Sequence, residues 1–182
     1  MFKVSSAQFN YQYEDQIHFP YSIAMIVGFV KTKEDLKNNF NFQKTFVFRE
    51  KVDEYIKQCV DSDILLCSCY VWNWEITNYL AKKVKEINPK CLIIFGGPHV
   101  PEDTTGFFDD HPYVDILAHG EGEYILENLL RTYITDKNYL NVKGISTKDF
   151  STPDQERIND LDSIPSPYTT NLVWDLVEKV PD

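Results

Sequence analysis

The chain contains no apolar run near the roughly 18 residues that a membrane-spanning helix requires. Its opening Met1-Phe2-Lys3-Val4 soon turns polar, so it carries no signal-peptide core. Basic residues are scarce: 18 Lys and Arg stand against 28 Asp and Glu, a net charge of −10. That balance supplies no counterion release from a phosphate backbone and argues against a nucleic-acid partner. The four cysteines, Cys59, Cys67, Cys69 and Cys91, form neither a C-x-x-C pair nor a zinc spacing, so no bound metal is expected from them. They read as buried free thiols in a reducing compartment. No G-x-G-x-x-G follows the first strand and there is no Walker A sequence, no acidic cluster of a phospho-acceptor domain and no hydrolase elbow. What remains is 182 residues with 43% apolar and 25% charged side chains, the composition of a single globular domain. The expectation is a soluble, acidic, cytoplasmic protein.

Apolar patterning alternates between two kinds of segment. Strands are expected at Met1 to Phe9, Thr45 to Phe48, Ile64 to Tyr70, Cys91 to Phe95 and Val114 to Ala118. The third and fourth are uninterrupted apolar runs, as in strands buried on both faces. Between them lie helical stripes: Ile23, Ile26, Val27 and Val30 after Pro20; Val52, Tyr55, Ile56, Cys59 and Val60; Ile76, Leu80, Val84 and Ile87 after an Asn73 cap; and Ile125, Leu129 and Tyr133. A short, poor helix is expected from Pro101-Glu102-Asp103. This rhythm predicts an α/β fold, a doubly wound, five-stranded parallel sheet of flavodoxin-like order 2-1-3-4-5. Residues 1–140 form the α/β domain. Residues 141–182 add a short strand near Lys143 to Thr147, a connector with two prolines at Ser163 to Tyr168, and the start of a helix at Trp174 to Val180.

In an open parallel sheet, ligands bind beyond the carboxyl ends of the strands where strand order reverses. The loops facing that crevice are Asn10 to Phe19, Ser68 to Asn73, Gly96 to Val100 and Ala118 to Gly122. Gly96 and Gly97 permit unusual dihedrals and let a ligand lie against bare backbone. His99 either contacts the ligand or sits exposed on the turn. At Gly120-Glu121-Gly122-Glu123, two carboxylates at a helix start would repel a phosphate. Glu121 is read as an acceptor for ligand amides or hydroxyls. The chain shows no catalytic set of its own.

Three motifs in order carry a resemblance: GGPHVPE from Gly96, D-x-x-x-H-G-E-G-E from Asp115 to Glu123, and L-D-S-I-P-S-P-Y from Leu161 to Tyr168. The sequence resembles the N-terminal cobalamin-binding domain of B12-dependent radical SAM proteins over residues 1–170. The resemblance implies cobalamin as cofactor, with Ser68, Tyr70, Gly96, Gly97, His99, Gly120 and Glu121 around it. The benzimidazole tail would slide between sheet and helix, a hydroxyl would bond its free nitrogen, and glycines would make room. Tyr70 stands where the family usually has leucine and narrows that channel. Of the Asp-x-His-x-x-Gly signature that supplies a lower cobalt ligand, Gln16-Ile17-His18-Phe19-Pro20-Tyr21 keeps only His18, which is read as a loop residue leading into the helix.

The resemblance further implies a radical SAM barrel in cis, with a [4Fe–4S] cluster and S-adenosylmethionine. Neither set of residues occurs in this chain, which lacks C-x-x-x-C-x-x-C. Methyl transfer is the reaction implied for the parent enzyme. The competing reading is a non-catalytic cobalamin carrier, or a domain that has lost the cofactor and mediates assembly. On the favoured reading Gly97→Val is expected to abolish cofactor retention while the domain stays folded.

Overall fold

The structure is a computed structural model and describes residues 1–14 and 16–177. In chain order the strands are β1 (Phe2–Asn10), β2 (Gln12–Tyr13), β3 (Gln16–Ile17), β4 (Phe40–Phe48), β5 (Ile64–Ser68), β6 (Leu92–Gly96), β7 (Ile116–Ala118) and β8 (Ile145–Ser146). The helices are α1 (Tyr21–Lys31), α2 (Glu34–Asn39), α3 (Val52–Gln58), α4 (Trp74–Ile87), α5 (Phe107–Asp110) and α6 (Gly122–Ile134). The main sheet runs β4-β1-β5-β6-β7-β8, and β2 pairs with β3 in a small separate hairpin. The first five strands of the main sheet are mutually parallel. Their order is the doubly wound one expected from the apolar rhythm. β8 joins β7 antiparallel and makes the sheet six-stranded.

Side-chain alternation divides the core in two. On one face Val4, Ile64, Leu66, Ile94 and Ile116 pack under α1 and α6, with Val142, Ile145, Val173 and Leu176 from the C-terminal segment. On the other face Ala7, Phe9, Leu65, Cys67, Ile93, Phe95 and Leu117 pack under α3, α4 and α5. Strands β5 and β6 are central and almost wholly buried, which is why they read as continuous apolar runs.

Several local expectations need correction. β4 begins at Phe40, not Thr45, because the exposed Asn41 and Lys44 of this edge strand break the apolar signal. The segment 101–105 is not helical; the short α5 starts only after Gly106, which takes a positive φ of 75°. α2 follows α1 directly and was not anticipated. Pro20 precedes α1, and its carbonyl accepts the Ala24 N–H at 3.0 Å. The expected helix at Trp174 is a 3-10 turn, Trp174–Leu176. Its continuation through Val180 lies outside the described residues.

Candidate functional site

A cleft of about 350 Å³ opens between the sheet and the α1/α6 pair. Its sheet side is made by Leu66 and Ser68 of β5, Ile94 and Gly96 of β6, and Ala118 of β7. Its helix side comes from Ser22, Ile23, Met25 and Ile26 of α1, and from Gly122, Ile125, Leu126 and Leu129 of α6. Ser68 and Gly96 are register partners. The next strand continues the row, with Ala118 Cβ 3.7 Å from where a Gly96 Cβ would stand. Serine, glycine and alanine thus line up across three strands, and their small size is what leaves the cleft open. Ser68 is 5% exposed, and its hydroxyl has no hydrogen-bond partner among the described residues. Gly122 serves the helix pair: a Cβ there would meet Ile26 Cγ2 at 3.0 Å.

The second glycine of the pair does something else. Gly97 has φ 104°, and a Cβ would sit 2.7 Å from the Cys69 carbonyl oxygen. This contact is with protein backbone, so the expectation that Gly97→Val would leave the domain folded is overturned. The loop after β5 is also held by Asn73, which is fully buried. Its Nδ2 donates to the carbonyls of Phe9 (3.3 Å) and Ser68 (2.9 Å), and its Oδ1 accepts the Tyr70 N–H at 2.8 Å. Asn73 does stand at the N-cap position, but its side chain ties two strand ends together and makes no cap hydrogen bond.

At the end of β7, Gly120 takes φ 86° with open space around it. Glu121 caps α6 by position, and its Oε2 accepts the Ile158 N–H at 2.7 Å, anchoring the C-terminal segment. Burial raises the Glu123 carboxyl above its ordinary value, and the Glu121 charge adds to this, while a hydrogen bond from its own backbone opposes it. His119 turns to a polar cavity of about 570 Å³ beyond Glu121. There its Nε2 lies 2.9 Å from Ser146 Oγ, and burial lowers its pKa below 6.5. Asp115, which opens the same motif, is structural. Its Oδ2 accepts the Ile93 N–H at 2.7 Å and pairs with Lys85 Nζ at 2.7 Å.

Tyr70 stands at the cleft mouth, its hydroxyl 2.6 Å from Ser22 Oγ. Beyond it a second cavity, about 490 Å³, is lined by Asn10, Tyr11, Tyr13, His18, Phe19 and Trp72 among others. His99 does not reach the cleft. It is exposed on the far side of the loop, its ring 5.0 Å from Trp74. All four cysteines are free and buried, and burial pushes their thiols up, Cys91 to about 12. Among the described residues no group of three or more His, Cys, Asp or Glu could hold a metal, and no helix is long and apolar enough to cross a membrane.

The family model for the B12 binding domain matches residues 15–130. The chain belongs to the B12 binding domain family. This cobalamin-binding domain is 38% identical over 160 residues to the cobalamin-dependent radical SAM methyltransferase TokK of Streptomyces tokunonensis. It is 35% identical over 160 residues to the 2-(S-pantetheinyl)-carbapenam-3-carboxylate methyltransferase of Streptantibioticus cattleyicolor. Each match takes in 83% of this chain but 24% of the relative, so the chain spans about a quarter of the length of the curated relatives it matches. In fold it is similar to the radical S-adenosylmethionine methyltransferase TsrM from Kitasatospora setae. The TM-score is 0.58 at 11% identity, covering 85% of this chain and 30% of that one.

The residues present fit the cofactor. An unpartnered serine hydroxyl at the wall of an apolar cleft suits the one free nitrogen of a benzimidazole, and the adjacent Gly96 leaves the width a flat ring needs. Of the seven residues singled out from the sequence, Ser68, Tyr70, Gly96, Gly97, Gly120 and Glu121 all line this cleft, and His99 does not. Ser22 was missed, because nothing in a helical stripe distinguishes its polar neighbour.

Proposed function

We propose that the cleft takes the nucleotide tail of cobalamin, with Ser68 donating to the benzimidazole nitrogen and Gly96 leaving room beside it. On this reading the domain is the cofactor module of a radical SAM enzyme that transfers a methyl group. The cofactor carries the methyl; the protein supplies a rigid, water-poor seat that fixes its orientation. The [4Fe–4S] cluster and S-adenosylmethionine belong to a barrel in cis, with residues 141–182 as the connector towards it. The observation that carries the proposal is the Ser68–Gly96–Ala118 row of small side chains across the floor of the cleft.

The test is a visible absorption spectrum of the protein after incubation with hydroxocobalamin and desalting. Stoichiometric corrinoid absorbance in the wild type, lost in Gly96→Val, is the expected outcome. Equal retention by both would move the tail out of this cleft. For the parent enzyme, the gene read past Asp182 is expected to encode a C-x-x-x-C-x-x-C motif; a stop codon there would leave a carrier.

A further inference from the structure

The start of α6 brings two carboxylates, Glu121 and Glu123, to the wall of the cleft. No Lys, Arg or His lines the cleft among the described residues, so no cation answers them there. Most of the polar side chains around the cleft are already engaged. Ser22 and Tyr70 bind each other at 2.6 Å, Tyr21 stacks on Tyr168, and Glu121 accepts the Ile158 N–H. Ser68 on the sheet side and Glu123 on the helix side remain. Apart from a hydrogen bond from its own backbone, the Glu123 carboxylate has no partner among the described residues. It is half-buried, and burial raises its carboxyl above the ordinary value. An acid in the first turn complements the helix dipole whichever way it faces. Facing the cleft adds a desolvation cost that only a hydrogen-bond donor offsets.

The nucleotide tail of cobalamin brings an anionic phosphodiester, an acceptor nitrogen on the benzimidazole, and the hydroxyls of a ribose. Two carboxylates without a cation repel the phosphodiester. The benzimidazole nitrogen needs a donor, and Ser68 is the hydroxyl available to it. The ribose hydroxyls are neutral donors, and a carboxylate accepts from them in a charge-assisted bond. Dinucleotide sites at the same edge of other doubly wound sheets hold a ribose hydroxyl on an acidic side chain in this way. Base and sugar are joined by one glycosidic bond, so the groups that hold them belong on facing walls of one cleft. We propose that Glu123 accepts a hydrogen bond from a ribose hydroxyl of the tail, across the cleft from Ser68, while the phosphodiester stays outside this cation-free wall. Glu123 is thus a binding residue for the sugar; the inference rests on the cobalamin reading of the cleft.

The test titrates the full chain with hydroxocobalamin and with cobinamide, the same macrocycle without the nucleotide tail, at pH 8. Glu123→Ala is expected to bind hydroxocobalamin about ten- to a hundredfold more weakly than the wild type, the worth of a hydrogen bond to a charged group. Glu123→Gln keeps an acceptor oxygen and should recover most of that loss. Cobinamide should not distinguish the wild type from Glu123→Ala. Glu123→Met, close to glutamate in length but without an oxygen, serves if Glu123→Ala does not fold. Tighter hydroxocobalamin binding by both Glu123→Ala and Glu123→Gln overturns the proposal, since the carboxylate would then only repel the phosphodiester. Unchanged affinity in Glu123→Ala overturns it as well, and so does an equal loss for cobinamide. Failure of the wild type to retain any hydroxocobalamin overturns the cobalamin reading itself, and this inference with it.

Discussion

Gly97 rests directly on Cys69. The Cys69 N–H donates to the Gly96 carbonyl at 2.7 Å, and the Cys69 carbonyl accepts from the His99 N–H at 3.2 Å. The loops that follow the two central strands are thereby laced together, with no space for a side chain between them. The two glycines of one dipeptide therefore have separate roles: Gly96 keeps the cleft open, and Gly97 allows the loops to close on each other.

Gly97→Ala is expected to destabilise the domain by about 2 kcal/mol or more, from a left-handed φ and backbone overlap together. Gly96→Ala, in ordinary contact with Ala118, should cost far less. Urea unfolding of the two variants checks this; equal midpoints would refute the division of roles.

Ser68→Ala should leave stability nearly unchanged and weaken cobalamin binding roughly two- to tenfold, the worth of about 0.5–1.5 kcal/mol for one hydrogen bond. Equilibrium titration followed by absorbance measures it. Unaltered affinity would mean that the hydroxyl has no partner in the cofactor.

Asp115→Ala removes the acceptor of both the Ile93 N–H and the Lys85 ammonium. The Lys85–Asp115 pair is only partly shielded from water, while Ile93 is fully buried, so the expected cost is about 1–3 kcal/mol. Denaturant unfolding should show it, with cobalamin affinity otherwise preserved. A selective loss of affinity at unchanged stability would put Asp115 in the site instead.

His119 makes stability fall as the solution is acidified. Its folded pKa lies below the unfolded value of 6.5, because burial disfavours the charged ring. Above 6.5 both states are neutral and the contribution is complete. As pH drops below 6.5 the unfolded chain takes up the proton first, and stability declines until the folded ring also titrates. A His119→Asn variant should show a shallower decline between pH 6.5 and 5 in thermal unfolding curves.

The cysteines give a chemical test of the core. With all four thiols buried and pushed up in pKa, none should react with a thiol reagent such as Ellman's at pH 8 in the folded protein. All four should react in guanidinium. Rapid labelling of Cys67 or Cys69 before unfolding would contradict the packing under α4.

Periodicity carried the fold because burial writes it directly into the chain. β5 and β6 are covered on both faces and read as unbroken apolar runs, and α4 and α6 each bury one stripe. The parallel order follows from that alternation, since right-handed crossovers leave few ways to connect it. Ser68 and Gly96 were legible as lining of the cleft because they interrupt the pattern at strand ends, and Glu121 because it stands between two glycines in the loop after the last parallel strand. What periodicity could not reach is how separate loops meet. Gly97 against Cys69, Asn73 joining Phe9 to Ser68, Glu121 spent on the Ile158 N–H and Ser22 bound to Tyr70 are all contacts between residues far apart in the chain. Their partners are set by the twist and register of the sheet, and a one-dimensional pattern holds no record of either. The same limit explains His99: sequence brought it to the right loop, and the direction of the turn after Gly97 sent it to the other face.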